Sequence, residues 1–287
     1  MHPEVKAFFD EATWTLTYAV WDPASRDAVI IDPVLDYDAA ASRIGTRSVD
    51  AVTDFAREAG LHVHFLLETH AHADHLTGSQ WLKQRFPGSK VAIGSRIREV
   101  QKVFAGVFNL GPGFATTGEQ FDVLLEDDSV TRAGTLEVRT LFTPGHTPAC
   151  ASYLIGDAVF TGDALFMPDY GTGRCDFPAG SAATLYDSVT KRLYTLPDTT
   201  RVFVGHDYQP NGRAVAWEST IGEEKRANIH LNAATSKDAF VAFRTSRDRT
   251  LAAPRLLLPS VQFNIGAGRM PPPESNGVSY LKIPLRT

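Results

Sequence analysis

Glu68-Thr69-His70-Ala71-His72-Ala73-Asp74-His75 puts four metal-capable side chains within six residues. The stretch follows the apolar run Leu61 to Leu67, which reads as a strand. It precedes Thr77 to Phe86, which reads as a helix. A His-x-His-x-Asp-His spacing on a strand-to-helix loop lets several side chains converge on one point. Imidazole and carboxylate together suit zinc or iron rather than calcium or magnesium. A solvated polar loop is the bland alternative. Three later turns weigh against it, each offering one more ligand: His146 in Thr143-Pro144-Gly145-His146-Thr147, Asp163 in Thr161-Gly162-Asp163, and His206 in Gly205-His206-Asp207. Such a set reads as a metal site.

Working outward, the 287 residues are enough for a substantial core, and 43% hydrophobic with 21% charged residues is the balance of an ordinary globule. A net charge of −5 gives no reason to expect nucleic acid or an anionic membrane as partner. No apolar run approaches the ~18 residues needed to span a bilayer. Met1-His2-Pro3-Glu4-Val5 has no basic region leading into an apolar one, and Cys150 and Cys175 make no disulfide framework. A cytoplasmic setting is the expectation.

Thr13 to Trp21 alternates as a strand, with Trp14, Leu16, Tyr18 and Val20 on one face, and Ala28 to Ile31 reads as a second, buried strand closed by Asp32-Pro33. Residues 34 to 48 read as an irregular surface loop. Val49, Val52, Phe55 and Ala56 fall at helical spacing before the stop signal Gly60. A short strand at Val91 to Ile93 and a helix from Ser95 to about Val107 follow. The Gly/Thr-rich loop 109 to 120 has the length of a lid over the site. Thr135 to Phe142 is a strand, Ser152 to Thr161 a hairpin, Leu185 to Leu193 a helix, and Val202 to Val204 the strand that ends at His206. Thr220-Ile221-Gly222-Glu223 has capping-box spacing and opens a helix to about His230; Ser236 to Arg247 is a further helix. From Pro254 the proline- and glycine-rich tail is expected to wrap the surface. His62 and His64 lie along a strand and, with His2 and His230, read as structural. Every candidate ligand falls just past the C-terminal end of a strand, which implies two packed sheets, helices outside, and a site along one rim.

With these blocks in hand, the chain resembles the metallo-β-lactamase superfamily over roughly residues 13 to 210. The resemblance implies one α/β (α+β) domain over 1–287, an αββα sandwich with a C-terminal helical and irregular extension from about 211. More particularly, Phe160-Thr161-Gly162-Asp163-Ala164-Leu165-Phe166, then Gly173-Arg174-Cys175-Asp176-Phe177 and His206-Asp207-Tyr208, look like persulfide dioxygenases, the glutathione-dependent sulfur dioxygenases. That likeness implies that glutathione persulfide, O2 and water become sulfite and glutathione at one Fe(II) per chain, held by His70, His146 and Asp163. His72, Asp74, His75 and His206 would then orient ligands and bound water. Arg174, with Tyr208 and Arg213 behind it, is the candidate for the glutathione carboxylates. The set that binds two metals in hydrolases is also intact: His70, His72 and His146 for one, Asp74, His75 and His206 for the other, Asp163 bridging. A glyoxalase II-like thioester hydrolase or lactonase therefore stays open beside the oxygenase. A non-catalytic metal-binding module is the third class, and no missing ligand speaks for it. Cys175, beside Arg174, reads as a small buried apolar residue rather than a redox-sensitive one. The oligomeric state is left open, a dimer among the options.

Overall fold

Strands with apolar residues at both odd and even positions must be covered on both faces, and the first sheet of this protein is. The computed structural model describes residues 2–285. Its first sheet holds β1 (Glu4–Asp10), β2 (Thr15–Trp21), β3 (Asp27–Ile31), β4 (His62–Glu68), β5 (Lys90–Gly94) and β6 (Val123–Leu125), side by side in chain order. β1 to β3 pair antiparallel, and β3 to β6 pair parallel. The second sheet is likewise in chain order: β7 (Val130–Ala133), β8 (Leu136–Phe142), β9 (Ala151–Ile155), β10 (Ala158–Phe160), β11 (Arg201–Phe203) and β12 (Glu218–Thr220).

The helices are α1 (Arg47–Glu58), α2 (Ser79–Arg85), α3 (Ile97–Val107), α4 (Ala182–Lys191), α5 (Ile221–Ala227), α6 (Lys237–Asp248) and α7 (Leu257–Asn264). Parity along the strands sorts the core into two. Leu16, Tyr18, Val20, Val29, Ile31 and Leu67 join Val138, Tyr153, Ile155 and Phe160 between the sheets, in a cluster that continues to Leu185 of α4 and Phe240 of α6. Ala19, Trp21, Ala28, Ile30, Leu66, Val91 and Ile93 face the other way, onto Val52 of α1, Leu82 of α2, Val100 of α3 and Phe263 of α7. The result is the expected αββα sandwich. Among the described residues no helix is long and apolar enough to cross a membrane.

Several expectations need correcting. β1 was not anticipated: it is an edge strand with Glu4 and Lys6 directed outward, so its pattern is diluted by charge. Trp14 is not part of a strand face; its backbone is left-handed (φ 56°) and its side chain is 45% exposed. Residues 34 to 48 are not simply surface, because Val34 and Leu35 are buried and pair with Leu76 and Thr77. The helix after the ligand loop accordingly begins at Ser79. α5 stops at Ala227, though Thr220 does cap it by accepting from the Glu223 N–H. The tail is the largest revision. α7 packs inside, with Val261, Phe263, Asn264 and Ile265 buried.

Candidate metal centre

The ligand turns are held in place at their strand ends. Tyr153 Oη donates to Glu68 O (2.7 Å), at the end of β4, and Tyr18 Oη donates to Val204 O (2.6 Å), just past β11. These buried hydroxyls fix the two turns that lead to His70 and His206. Gly162 lets the Asp163 turn come close: its φ is +49°, and a Cβ there would lie 2.5 Å from Thr69 Oγ1.

Four of the five histidines of the cluster have one ring nitrogen hydrogen-bonded; His72 is the exception. Thr69 Oγ1 donates to Asp32 Oδ2 (2.8 Å) and so accepts from His70 Nδ1 at 3.0 Å. His146 Nδ1 donates to Arg174 O (2.7 Å), and His206 Nδ1 donates to Trp14 O (3.2 Å). His75 Nδ1 lies 3.0 Å from Asp74 Oδ2. His72 Nε2 sits 3.0 Å from Asp32 Oδ1, at an angle short of a hydrogen bond. In the four hydrogen-bonded rings these partners select the tautomer and leave the other nitrogen with its lone pair free.

The free atoms meet. One ligand atom each from His70, His146 and Asp163 lie within 4.8 Å of one another, and the same holds for His72, Asp74 and His75. His146 Nε2 is 3.5 Å from Asp163 Oδ2, and His206 Nε2 is 3.4 Å from Asp163 Oδ1 and 3.6 Å from Asp74 Oδ2. Two atoms that each lie about 2.1 Å from a tetrahedral ion are about 3.4 Å apart, so these spacings suit atoms sharing a cation. His70 Nε2, both ring nitrogens of His72, His75 Nε2 and Asp163 Oδ1 are buried with no hydrogen-bond partner among the described residues. Buried polar atoms are rarely left so, and a metal ion is the partner this donor set fits.

Charge agrees with that reading. Burial, then the neighbouring imidazoles, pushes His70 and His72 well below the usual imidazole range, so both are neutral as a metal ligand must be. Burial works against charge on Asp163 and Asp74. The imidazoles outweigh it, chiefly His206 with His146 for Asp163 and His206 with His75 for Asp74, and both carboxyls stay ionised. Behind the loop, burial and Asp32 push Glu68 up to about 8, and the Thr77 and Ser79 hydroxyls bond its Oε1.

A cavity of about 900 Å³ opens onto Asp74, His75, His146, Asp163 and His206. The loop 109 to 120 contributes nothing to its lining; that loop is tied instead to α3, where Gln101 Oε1 accepts from Gly118 N (2.9 Å). Tyr208 lines the cavity, 5.5 Å from the His206 ring. Arg174 also lines it, but its fork is closed on Asp176 (2.6 and 2.7 Å), and Nη1 donates to Ala252 O (2.7 Å). Arg213 is not among the lining residues; it clamps Asp207 and Asp169 together through four bonds of 2.6–2.9 Å. His230 lines the cavity, with Nδ1 accepting from Thr172 N (3.2 Å). His64 bonds Asp27, and His62 is exposed. Cys175 is buried, and burial with Asp248 nearby raises its thiol, as expected of an inert residue.

Sequence reasoning missed four contributors. Asp32, which the sequence offers only as the close of a buried strand, stands 3.0 Å from His72 Nε2 just past the end of β3; its place after a buried apolar run is the available signal. Thr15 Oγ1 donates to Asp74 Oδ2 (2.9 Å). Arg247 and Arg255 are exposed at the cavity wall, and neither guanidinium bonds a carboxylate among the described residues. Nothing local in the sequence marks any of these three.

Two packed sheets with a His/Asp cluster at one rim define a metal-binding αββα protein. The profile of the Metallo-beta-lactamase superfamily matches residues 15–206, and the chain belongs to that family. It is 50% identical over 98% of its length, and 98% of the other's, to a probable metallo-hydrolase of Burkholderia pseudomallei. It is 49% identical over 99% of its length to the beta-lactamase hydrolase-like protein of Agrobacterium fabrum, but spans only 65% of that protein. It is 36% identical to human mitochondrial persulfide dioxygenase ETHE1, over 79% of this chain and 75% of that one. The crystal structure of ETHE1 from Myxococcus xanthus superposes with a TM-score of 0.73 at 35% identity, covering 93% of this chain and all of that one (100%).

Proposed function

We propose that this protein is a persulfide dioxygenase that converts glutathione persulfide, O2 and water to glutathione and sulfite at a single Fe(II). One observation carries the single-metal reading. The two carboxylates differ: Asp74 Oδ2 is already engaged by the Thr15 hydroxyl and by His75, whereas Asp163 Oδ1 has no hydrogen-bond partner among the described residues. His70, His146 and Asp163 would hold the iron as a two-histidine, one-carboxylate set, which leaves positions for substrate and oxygen. Iron there supplies the redox chemistry with O2 and a site for the soft persulfide sulfur.

The chain's own residues do the rest. Thr69 and the Arg174 and Trp14 carbonyls keep His70, His146 and His206 each in one tautomer. His206 and Asp74 stand beside Asp163, where they orient a water. Phe166, Tyr170 and Tyr208 form an apolar wall that keeps bulk water from the sulfur. Burial, then Asp163 and Asp74, raises the Tyr208 hydroxyl well above its usual value, so it acts as a neutral donor. Glutathione brings two carboxylates, and Arg247 and Arg255 are cavity arginines that bond no carboxylate among the described residues. We assign Arg174 to bracing the same wall, because its fork is already filled by Asp176.

The convergence of His72, Asp74 and His75 favours a second reading, a two-metal hydrolase of glutathione thioesters or lactones, as do the hydrolase-named relatives at about half identity. An oxygen electrode separates the two. Purified protein given glutathione persulfide should draw down oxygen in step with sulfite formed, and should leave S-lactoylglutathione intact. Lactoylglutathione turnover without oxygen, and no oxygen uptake on persulfide, would overturn the dioxygenase reading.

A further inference from the structure

The side chain of Asn264, the last residue of α7, is 4% exposed and gives all its hydrogen bonds to the ligand loop. Its Nδ2 donates to His72 O (2.9 Å) and to His75 O (2.8 Å), and its Oδ1 accepts from Thr77 N (2.9 Å). Both carbonyls belong to residues whose rings enter the metal cluster, and the Thr77 amide closes the same turn. Asn264 is absent from the cavity lining, so it can reach the chemistry only through that backbone.

The neighbouring chain is fixed as tightly. Gln101 Nε2 donates to Ile265 O (2.9 Å) and Gln80 Nε2 to Ala267 O (3.0 Å). At Gly268 (φ +72°) a Cβ would sit 2.8 Å from Thr77 Cγ2, so the segment passes against the loop with no room for a side chain. A buried loop whose carbonyls point away from its ligands needs donors from outside itself. Here a segment about 190 residues further along the chain supplies them through one amide.

We propose that Asn264 is a positioning residue of the metal centre: it holds the backbone of the His70–His75 loop at His72 and His75, and thereby the placement of His70 at the head of that loop and the direction of the His72 and His75 rings beside it, before any metal arrives. The inference concerns metal binding, so it stands or falls separately from the dioxygenase reading.

The test is zinc affinity by chelator competition on the purified full chain, with the melting temperature followed in parallel. N264D keeps the size and the acceptor toward Thr77 N–H but sets an anionic oxygen against two carbonyls. N264A removes all three bonds. Either variant should bind zinc about tenfold more weakly, the lower end of the range for groups that orient ligands. With iron and persulfide, kcat should fall while KM holds, because Asn264 is not in the cavity. Q262A is the control: Gln262 lies on the same helix but bonds Lys282 N and O instead of the loop, and should leave zinc affinity alone. Wild-type zinc affinity in N264A or N264D, or an equal loss in Q262A, would overturn the proposal. Hydrogen exchange on the unsubstituted protein gives a check that depends on no variant. The Thr77 amide should exchange slowly even after metal is stripped with chelator; exchange at the rate of an open loop contradicts the proposal.

Discussion

The loop from His70 to His75 contributes side chains to the centre, whereas the segment from Arg244 to Gly268 contributes what surrounds it. The loop is six residues long and nearly all buried, and its partners within the cluster come from turns that each carry a recognisable motif. The C-terminal segment reaches the same place by three contacts scattered over some twenty residues. Arg244 and Asp248, a buried ion pair, hold Thr172 O and Cys175 N at the cavity wall; Arg247 and Arg255 face the cavity; and Asn264 holds the loop from behind. Ligands are set by local spacing, while the shape and charge of the pocket are set by distant packing. The two regions should therefore fail in different ways.

The largest effect is expected in the first region. His70→Ala, His146→Ala and Asp163→Ala should each abolish iron retention and cut turnover by more than about a hundredfold, beyond what loss of an orienting group does. Asp74→Ala should leave most of the iron in place, as read by elemental analysis of the same preparations. Equal iron loss in all four would merge the two halves of the cluster and favour a shared two-metal site.

The second region should fail in KM. Replacing both Arg247 and Arg255 with alanine should raise the KM for glutathione persulfide about tenfold with iron content unchanged, since hydrogen bonds to charged groups contribute roughly 1.5–3 kcal/mol each when well formed and less when exposed. Arg174→Ala should chiefly lower the melting temperature, because it unties Asp176 and the 251–252 carbonyls. A larger KM change in Arg174→Ala than in the double variant would return carboxylate recognition to Arg174.

The smallest effect is confined to stability. Burial pushes Glu224 of α5 up to about 7 from an ordinary 4.5, against bonds from Asn228 and Ser219. Between those values the folded chain holds a proton on Glu224 that the unfolded chain has lost, so the contribution of Glu224 to stability should fall as pH rises from about 4.5 to 7 and level off above. The span is about 3 kcal/mol at most. Glu68, His70 and His72 titrate differently on folding as well, so the slope due to Glu224 is read as the difference between denaturant melts of the wild type and Glu224→Gln across that range, with metal content unmoved.

What was legible in the sequence follows the same division. β2 to β5 and the ligand turns could be read because apolar runs stop abruptly at polar, glycine-containing turns. α7 could not: Leu257-Leu258-Pro259-Ser260-Val261-Gln262-Phe263-Asn264 carries a proline and is buried on most sides, so it has no amphipathic period, and glycines follow it. Trp14 reads as a strand residue because alternation continues through it, although its left-handed backbone stands just before the start of β2 and turns its carbonyl to His206. Arg174 and Arg213 looked available because sequence does not reveal pairing. Asp176, Asp169 and Asp207 close on them only once the chain is folded, while Arg247 and Arg255, which bond no carboxylate among the described residues, look like any surface charges, one on α6 and one in the irregular tail.

The central claim is that His70, His146 and Asp163 hold one iron. Elemental analysis of active protein purified without added metal tests it most directly. The account predicts about one iron per chain with little zinc, and activity that rises in proportion to iron across preparations. Two tightly bound metals per active chain, or activity that follows zinc, would contradict it.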